Sequence, residues 1–322
     1  MKIKDRARFT DPTIIKKIKS IENSKEIQDR LASVREEMKS RTFSILNYKW
    51  VFIVGIFILF FLITDFEYKV LFNLVIIFGA WFVSAFFRKN RELNENAYVD
   101  NFLLPVLGEI FPETEIDYSK GLKIKVLENF LPNEEDYFGN CHIKFGDEYK
   151  TEFSNFMGVH YTTDSEGHTK RVVDFVGQGL FVKMPTNING HIRIVPTTRK
   201  SIFGNKKHGI YGKKKKDEME IETESIDFNE SYSIFSTDDF YTRLILDPNI
   251  ISLLNSWRDR MELVLFMNEE YISIAFKSNE YIFELPTTKA DIDRLSLSGE
   301  YEKIREKLAD FYSLLDIITD KL

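Results

Sequence analysis

The sequence predicts an α+β protein in three parts: an N-terminal amphipathic helix, a two-helix transmembrane hairpin, and a cytoplasmic domain with an antiparallel sheet and flanking helices. Three observations predict it. Two long apolar runs lie between residues 45 and 87. Beyond residue 120, short segments alternate apolar and polar residues with a period of two. Helical spacings of three and four mark both ends of the chain. The composition is compatible with this plan: 322 residues, 43% hydrophobic, 29% charged, net charge −6. It excludes a collagen-like or low-complexity chain and a globally basic nucleic-acid binder. With a single cysteine, Cys141, it also excludes a disulfide scaffold.

The first part, residues 1–44, holds an amphipathic segment from about Asp11 to Arg41. Asp11-Pro12 suits a helix start, with a capping carboxylate and proline in the first turn. Ile14, Ile18 and Ile21 fall on one stripe, and Ile27, Leu31, Val34 and Met38 on another. The phase break between Ile21 and Ile27 indicates a stutter or two helices. This arm suits an oligomerising coiled coil, or a helix lying on the protein's own domain or on the membrane surface.

The second part, residues 45–87, contains the runs 45–64 and 70–87. As helices they reach about 30 and about 27 Å, close to the ~30 Å hydrocarbon thickness. The first holds 14 Leu, Ile, Val or Phe residues and the second 12. Lys49 is the one charge within them, at an end where it can snorkel beside Tyr48 and Trp50. A signal peptide fits poorly, because the first run begins some 45 residues into the chain. Asp65 to Lys69 joins the runs tightly, so both flanks share one side. Residues 1–49 carry a net +6, and the second run exits into Arg88, Lys89 and Arg91. The positive-inside rule therefore predicts a multi-pass plasma-membrane protein with both termini cytoplasmic. Apart from Asn47 and Lys49 at the start of the first run, Asn73 alone is strongly polar within the runs, too little to line a channel.

The third part, residues 88–322, carries a net −11. Residues 94–111 suit a helix, kinked by Pro105. Alternation predicts strands around Leu122–Val126, Cys141–Phe145, Ile192–Ile194 and Ile272–Phe276, each with one buried and one wet face. Phe153–Tyr161 and Thr169–Lys183 form a hairpin turning at Asp164-Ser165-Glu166-Gly167. Leu263–Phe266 and Tyr271–Phe276 form a second, turning at Asn268-Glu269-Glu270. Phe240–Leu246 and Asn249–Trp257 suit short helices split at Asp247-Pro248. A last helix from about Ser298 carries Leu297, Tyr301, Ile304, Leu308, Phe311, Leu315, Ile318 and Leu322 in an unbroken seam. That seam packs across the sheet or pairs with another helix.

Thr169-Lys170-Arg171-Val172-Val173-Asp174-Phe175, with Gly177-Gln178-Gly179-Leu180-Phe181-Val182, resembles the central strand pair of a known family. Phe228-Asn229-Glu230, Tyr232 to Asp239 and Leu244 to Asn249 resemble its later signature. The family is the set of bacterial membrane proteins grouped as domain of unknown function 3137, and the similarity covers roughly residues 95–290. The resemblance implies a membrane-anchored α+β domain. It implies no activity, cofactor or catalytic residue.

The residues themselves give no catalytic constellation. No G-x-S-x-G, Walker A or G-x-G-x-x-G pattern occurs. Gly177-Gln178-Gly179 suits a strand bulge, Cys141 suits core packing, and Glu134-Glu135-Asp136 suits a solvated loop. Asp238-Asp239 suits a helix N-terminus. His160 and His168 flank the first hairpin turn with Asp164 and Glu166 between them. That grouping could hold a metal, but it lacks the two close ligand pairs usual for zinc, so no metal or cofactor is assigned. The most distinctive segment runs from 199 to 216, with Arg199, Lys200, Lys206, Lys207, Lys213, Lys214, Lys215 and Lys216 and no acid. It suits a solvated loop, or contact with anionic lipid at about 1 kcal/mol per basic residue. Phe203 and Tyr211 alone as stacking partners argue against nucleic acid. Acidic residues 217–224 follow and could neutralise the segment.

The sequence thus predicts a non-enzymatic, membrane-anchored scaffold or sensor of unknown ligand. Its partners are the bilayer and a second copy or a membrane protein, with the flanking helices supporting self-association. Its rivals are a membrane-tethered enzyme whose site assembles only in three dimensions, and a lipid or nucleic-acid binder acting through residues 199–216.

Overall fold

The computed structural model describes residues 5–42, 55, 81, 84–197, 199–200, 206–258, 262–278 and 280–320. The apolar runs 45–64 and 70–87 fall outside these, except for Gly55, Trp81 and 84–87. Among the described residues no helix is long and apolar enough to cross a membrane.

A nine-stranded antiparallel sheet organises the rest. Its strands are β1 (Glu115–Asp117), β2 (Asp136–Lys144), β3 (Glu152–Thr163), β4 (Thr169–Lys183), β5 (His191–Pro196), β8 (Met219–Ile221), β9 (Tyr232–Ser236), β10 (Glu262–Asn268) and β11 (Tyr271–Lys277). They lie in the order β1-β2-β3-β4-β11-β10-β5-β9-β8. The strands β6 (Arg199–Lys200) and β7 (Lys206–Lys207) form a separate two-residue ribbon. Both expected hairpins form. Strands β3 and β4 pair from Glu152↔Phe181 to Thr163↔Thr169, and β10 and β11 pair from Glu262↔Lys277 to Met267↔Ile272.

The strand directions define two ends of the sheet. One end, here the near end, gathers the start of β2, the β3–β4 turn, the ends of β5 and β11 and the start of β10. The far end holds the β10–β11 turn, His191 and the start of β8.

Two apolar layers cover the sheet. The thicker layer includes Phe102, Ile110, Ile192, Ile194, Leu263, Leu265, Ile272 and Ile274, together with the whole seam Tyr301, Ile304, Leu308, Phe311, Leu315 and Ile318 of the C-terminal helix Leu297–Thr319. The N-terminal helices close it: Phe9, Ile18, Leu31 and Met38 belong to the same layer. The thinner layer, on the opposite face, holds Leu122, Leu127, Phe130, Phe156, Phe175, Tyr211, Phe235 and Phe266.

Several expectations are corrected. Residues 122–126 are not a strand. Ile124–Phe130 is a helix whose Val126, Leu127 and Phe130 are buried while Ile124 is 60% exposed. A strand would have buried Ile124, and the one-four spacing of the buried residues wins over a five-residue alternation. The wet face is also wrong at the sheet centre: Arg193 is 1% and Ser273 0% exposed, because the thinner layer covers them. In the N-terminal arm the two-helix alternative is borne out: after a short helix Asp5–Thr10 come Pro12–Glu22 and Lys25–Arg41, split by Asn23-Ser24. Asp11 caps the first as expected, accepting from Thr13 N–H at 2.8 Å. Their apolar stripes pack on the chain's own domain, so neither arm nor C-terminal seam is left to drive a coiled coil. Polar contacts fix this docking. Glu22 accepts from Leu297 N–H at 2.9 Å, adding negative charge at the start of the C-terminal helix. Arg35 donates to Leu295 O at 3.0 Å and 2.5 Å.

From residue 84 the described chain is continuously helical to Ile110, with a π-helical stretch over Val99–Leu103. This stretch ends two residues before Pro105, whose ring and missing N–H disrupt regular helix geometry. The expected bulge at Gly177-Gln178-Gly179 is absent; a Cβ on Gly177 would lie 2.0 Å from Phe276 O, so glycine serves close strand approach there. The bulge in β4 falls at Asp174 instead, between the pairs Gly158↔Phe175 and Val159↔Val173.

Candidate functional site

Three features of the domain bear on function, and the thinner layer carries two of them. The first is the basic segment. The backbone does not keep the eight positions together, and the side chains of Arg199, Lys200, Lys206 and Lys207 lie outside the described part of the structure. The β6–β7 ribbon, with Arg199, Lys200, Lys206 and Lys207, springs from the end of β5 and returns at His208, whose Nδ1 lies 3.3 Å from Pro196 O. That places the ribbon at the near end. Lys213–Lys216 are exposed and lie toward the far end, next to Glu218.

A buried ion pair sets this division. Arg193 on β5 and Glu218 have side chains 1% and 0% exposed. Arg193 Nη2 donates to Glu218 Oε2 at 3.0 Å and to Lys213 O at 2.9 Å, and Nη1 donates to Tyr211 O at 2.6 Å. His191 Nε2 lies 2.8 Å from Glu218 Oε1, and Lys215 N–H donates to Oε2 at 2.6 Å. Burial alone would raise the Glu218 carboxyl; the bonds from His191, Arg193 and the Lys215 amide outweigh burial and hold it down to about 2. Glu218, an acid in position to neutralise the lysines, is therefore committed to Arg193. It pins the segment rather than screening it.

The second feature was not legible as a site. Glu134 lies in the loop between the helix Ile124–Phe130 and β2, and it is 8% exposed rather than solvated. Glu135 N–H donates to Val159 O at 2.9 Å, tying that loop to β3. The Glu134 side chain crosses Gly158, where a Cβ would sit 3.0 Å from its Cγ. His160 Nδ1 contacts Asp174 Oδ2, with Asp174 supplied by the β4 bulge. One ligand-capable atom from each of Glu134, His160 and Asp174 lies within 4.8 Å of the others. Burial pushes the Glu134 carboxyl up to about 7, and the neighbouring Asp174 charge adds to this. The expected turn-tip grouping breaks apart: His160 joins this cluster, while His168 stays 76% exposed beside Asp164 and Glu166 at 3.4 and 3.7 Å.

The third feature is where the chain leaves the domain. Arg41 Nη1 donates to Leu93 O at 3.5 Å, and Asn94 Nδ2 donates to Met38 O at 3.3 Å. Thr42, Phe87, Asn90 and Arg91 line one cleft with Asn140 and Met157 on the sheet and Tyr281 beside it. The residues on either side of segment 43–83 thus emerge side by side at the near end. Trp81 and Phe86 are 68% and 54% exposed there.

An open cleft of about 860 Å³ lies among Ile221–Ser225, Thr242, Arg243, Asp247 and Asn255. Thr242 Oγ1 donates to Ser236 Oγ at 2.8 Å, but no nucleophile–base pair converges in the cleft among the described residues. Cys141 is fully buried, as expected for core packing, and burial pushes its thiol up. Asp238 caps its helix, accepting from Tyr241 N–H at 3.1 Å.

Comparison with curated proteins gives no match. Among solved structures, the crystal structure of the mycobacterial trehalose monomycolate transport factor A, TtfA, aligns with a TM-score of 0.33 and 10% identity. The alignment covers 64% of this chain and 88% of that one. A likeness at that level carries no argument. The sequence match is of another kind: residues 173–321, from within β4 through the second hairpin to the C-terminal helix, match the family described as "Protein of unknown function (DUF3137)".

Proposed function

We propose that this protein is a two-span membrane protein whose α+β domain sits on the cytoplasmic face with its near end toward the bilayer, acting as a binding module rather than an enzyme. The observation that carries the reading is the pairing of chain exits. A helical hairpin must leave and re-enter a domain at neighbouring points, and Thr42 and the helix from residue 84 do so. Arg41, Arg88, Lys89 and Arg91 cluster in sequence at these exits, as the positive-inside rule requires, and the exposed Trp81 and Phe86 suit an interfacial belt.

The ribbon supports the same orientation. It leaves β5 at the near end, four strand spacings from β3, about 19 Å across the sheet. Arg199, Lys200, Lys206 and Lys207 are then the cations that meet anionic headgroups, while Lys213–Lys216 are held away by the Arg193–Glu218 pair. This divides the eight basic residues into a lipid-facing quartet and a quartet held toward the far end, where Lys214 Nζ donates to Glu218 O. Limited trypsin digestion of the full chain reconstituted in vesicles tests it. Anionic vesicles slow cleavage at Lys206 and Lys207 several-fold relative to zwitterionic ones, high salt removes the protection, and cleavage at Lys213–Lys216 is unchanged. Equal ribbon cleavage in both vesicle types would refute the orientation.

A further inference from the structure

We propose that Glu134, His160 and Asp174 form a binding site for one divalent first-row transition-metal cation of the Zn²⁺ or Mn²⁺ class. The three donors come from three separate segments: the loop before β2, the strand β3 and the bulge of β4. Their candidate ligand atoms already lie within 4.8 Å of one another. A cation held at about 2.0–2.2 Å from each would draw Glu134 inward and take the place of the direct His160–Asp174 contact, with the three donor atoms about 3.4 Å apart around it.

An independent observation points to a missing positive partner. Glu134 is more than nine-tenths buried, and its Oε2 is shielded from solvent with no hydrogen-bond donor. A buried carboxylate oxygen without a partner is costly, and buried charges are normally paired or bound to a metal. Lys277, a cation whose charge acts on Glu134, lies 3.8 Å from Glu262 instead. Glu135 and Asp174 add negative charge nearby.

The backbone makes room for the cluster. Both Asp174, the extra residue of the bulge, and Phe175 after it reach the thinner layer, where Phe175 stacks on Phe156 at 4.7 Å and Asp174 meets His160. Gly158 leaves the space that the Glu134 side chain occupies; a Cβ there would also lie 2.8 Å from Leu131 Cδ1. One imidazole and two carboxylates are a borderline-to-hard set. It suits Zn²⁺ or Mn²⁺, lacks the thiolates that select Cu⁺, and falls short of the six to eight oxygens that Ca²⁺ takes. His160 and Asp174 keep 33% and 26% side-chain exposure, so the ion exchanges with solvent and retains open positions for water.

The test titrates Zn²⁺ and, separately, Mn²⁺ into the metal-stripped full chain in detergent, read by calorimetry and by the thermal midpoint. The parent binds one equivalent of at least one of these ions and its midpoint rises. Asp174→Asn and the isosteric Glu134→Gln each weaken binding by more than ~10-fold, the scale seen when even an outer-shell partner is removed. His168→Ala, at the exposed turn, leaves binding unchanged. The parent alone can overturn the proposal, by showing no stoichiometric binding of either ion. Binding that survives both carboxylate substitutions, or that disappears with His168→Ala, overturns it as well.

Discussion

The two faces of the sheet are built from different materials. One carries a broad aliphatic and aromatic layer, sealed by helices from both ends of the chain. The other carries a smaller layer of aromatic rings, covered by the one short helix Ile124–Phe130 and by the segment around Tyr211. Both faces bury carboxylates, but with different partners: on the first, Glu300 and Asp147 accept from the layer's own tyrosines Tyr98 and Tyr312, whereas on the second Arg193 pairs with Glu218, and Glu134 lies beside His160 and Asp174. The difference teaches where the chain places cohesion and where it places chemistry.

The comparison is most easily broken on the thick face. Phe102, fully buried under the N-terminal helices, is replaced by alanine at a cost of about 3–5 kcal/mol, read as a fall in the thermal midpoint of the full chain. A cost near zero would mean that the arm merely rests on the domain.

On the thin face the Arg193–Glu218 pair gives the next largest effect. Glu218→Gln leaves a buried guanidinium without its anion and costs about 3 kcal/mol or more. The pH dependence follows from the depressed carboxyl. Its stabilisation is fully present above the ordinary carboxylate range near pH 4.5 and is lost as pH falls toward about 2. Midpoints measured from pH 6 to pH 2 decline less steeply in Glu218→Gln than in the parent. Parallel declines would remove Glu218 from the account. Joint replacement by Arg193→Met and Glu218→Leu recovers only the part of the loss due to the unpaired charge, because Tyr211 O, Lys213 O and the Lys215 N–H still lose their partners.

The smallest effect belongs to Glu134. Without added metal, Glu134→Gln changes stability by no more than ~1 kcal/mol, since its buried Oε2 has no partner to lose. A large loss would reveal a structural bond to that oxygen and weaken the contrast with Glu218.

Much of the thick face was legible in the sequence, and much of the thin face was not. The seam from Tyr301 to Ile318 and the stripes from Ile14 to Met38 repeat over several turns, so local spacing alone marks their buried sides. Both hairpins carry their turns between their strands. Leu122–Val126 misled because five residues satisfy a strand and a helix equally, and the choice depends on Phe130 and on the face across the sheet. Arg193 sits in flawless alternation and looked wet; its burial depends on Glu218, 25 residues later, and on a loop that folds back over it. The Glu134 cluster depends on a bulge at Asp174, which moves that side chain into register with His160. Bulges leave little trace in residue spacing. The sign of the charge pattern was legible, but its division into a near-end ribbon and a far-end tetralysine run required the strand directions.

The central claim is that the segment between Thr42 and Ser84 passes out through a bilayer and returns, leaving the domain inside. Cysteine labelling in intact cells tests it most directly, with the native Cys141 fully buried and silent. Glu67→Cys, in the connecting loop, reacts with a membrane-impermeant maleimide before permeabilisation, whereas Lys25→Cys and Asp320→Cys react only afterwards. Labelling of Lys25→Cys or Asp320→Cys from outside, or of all three positions only after permeabilisation, would contradict it.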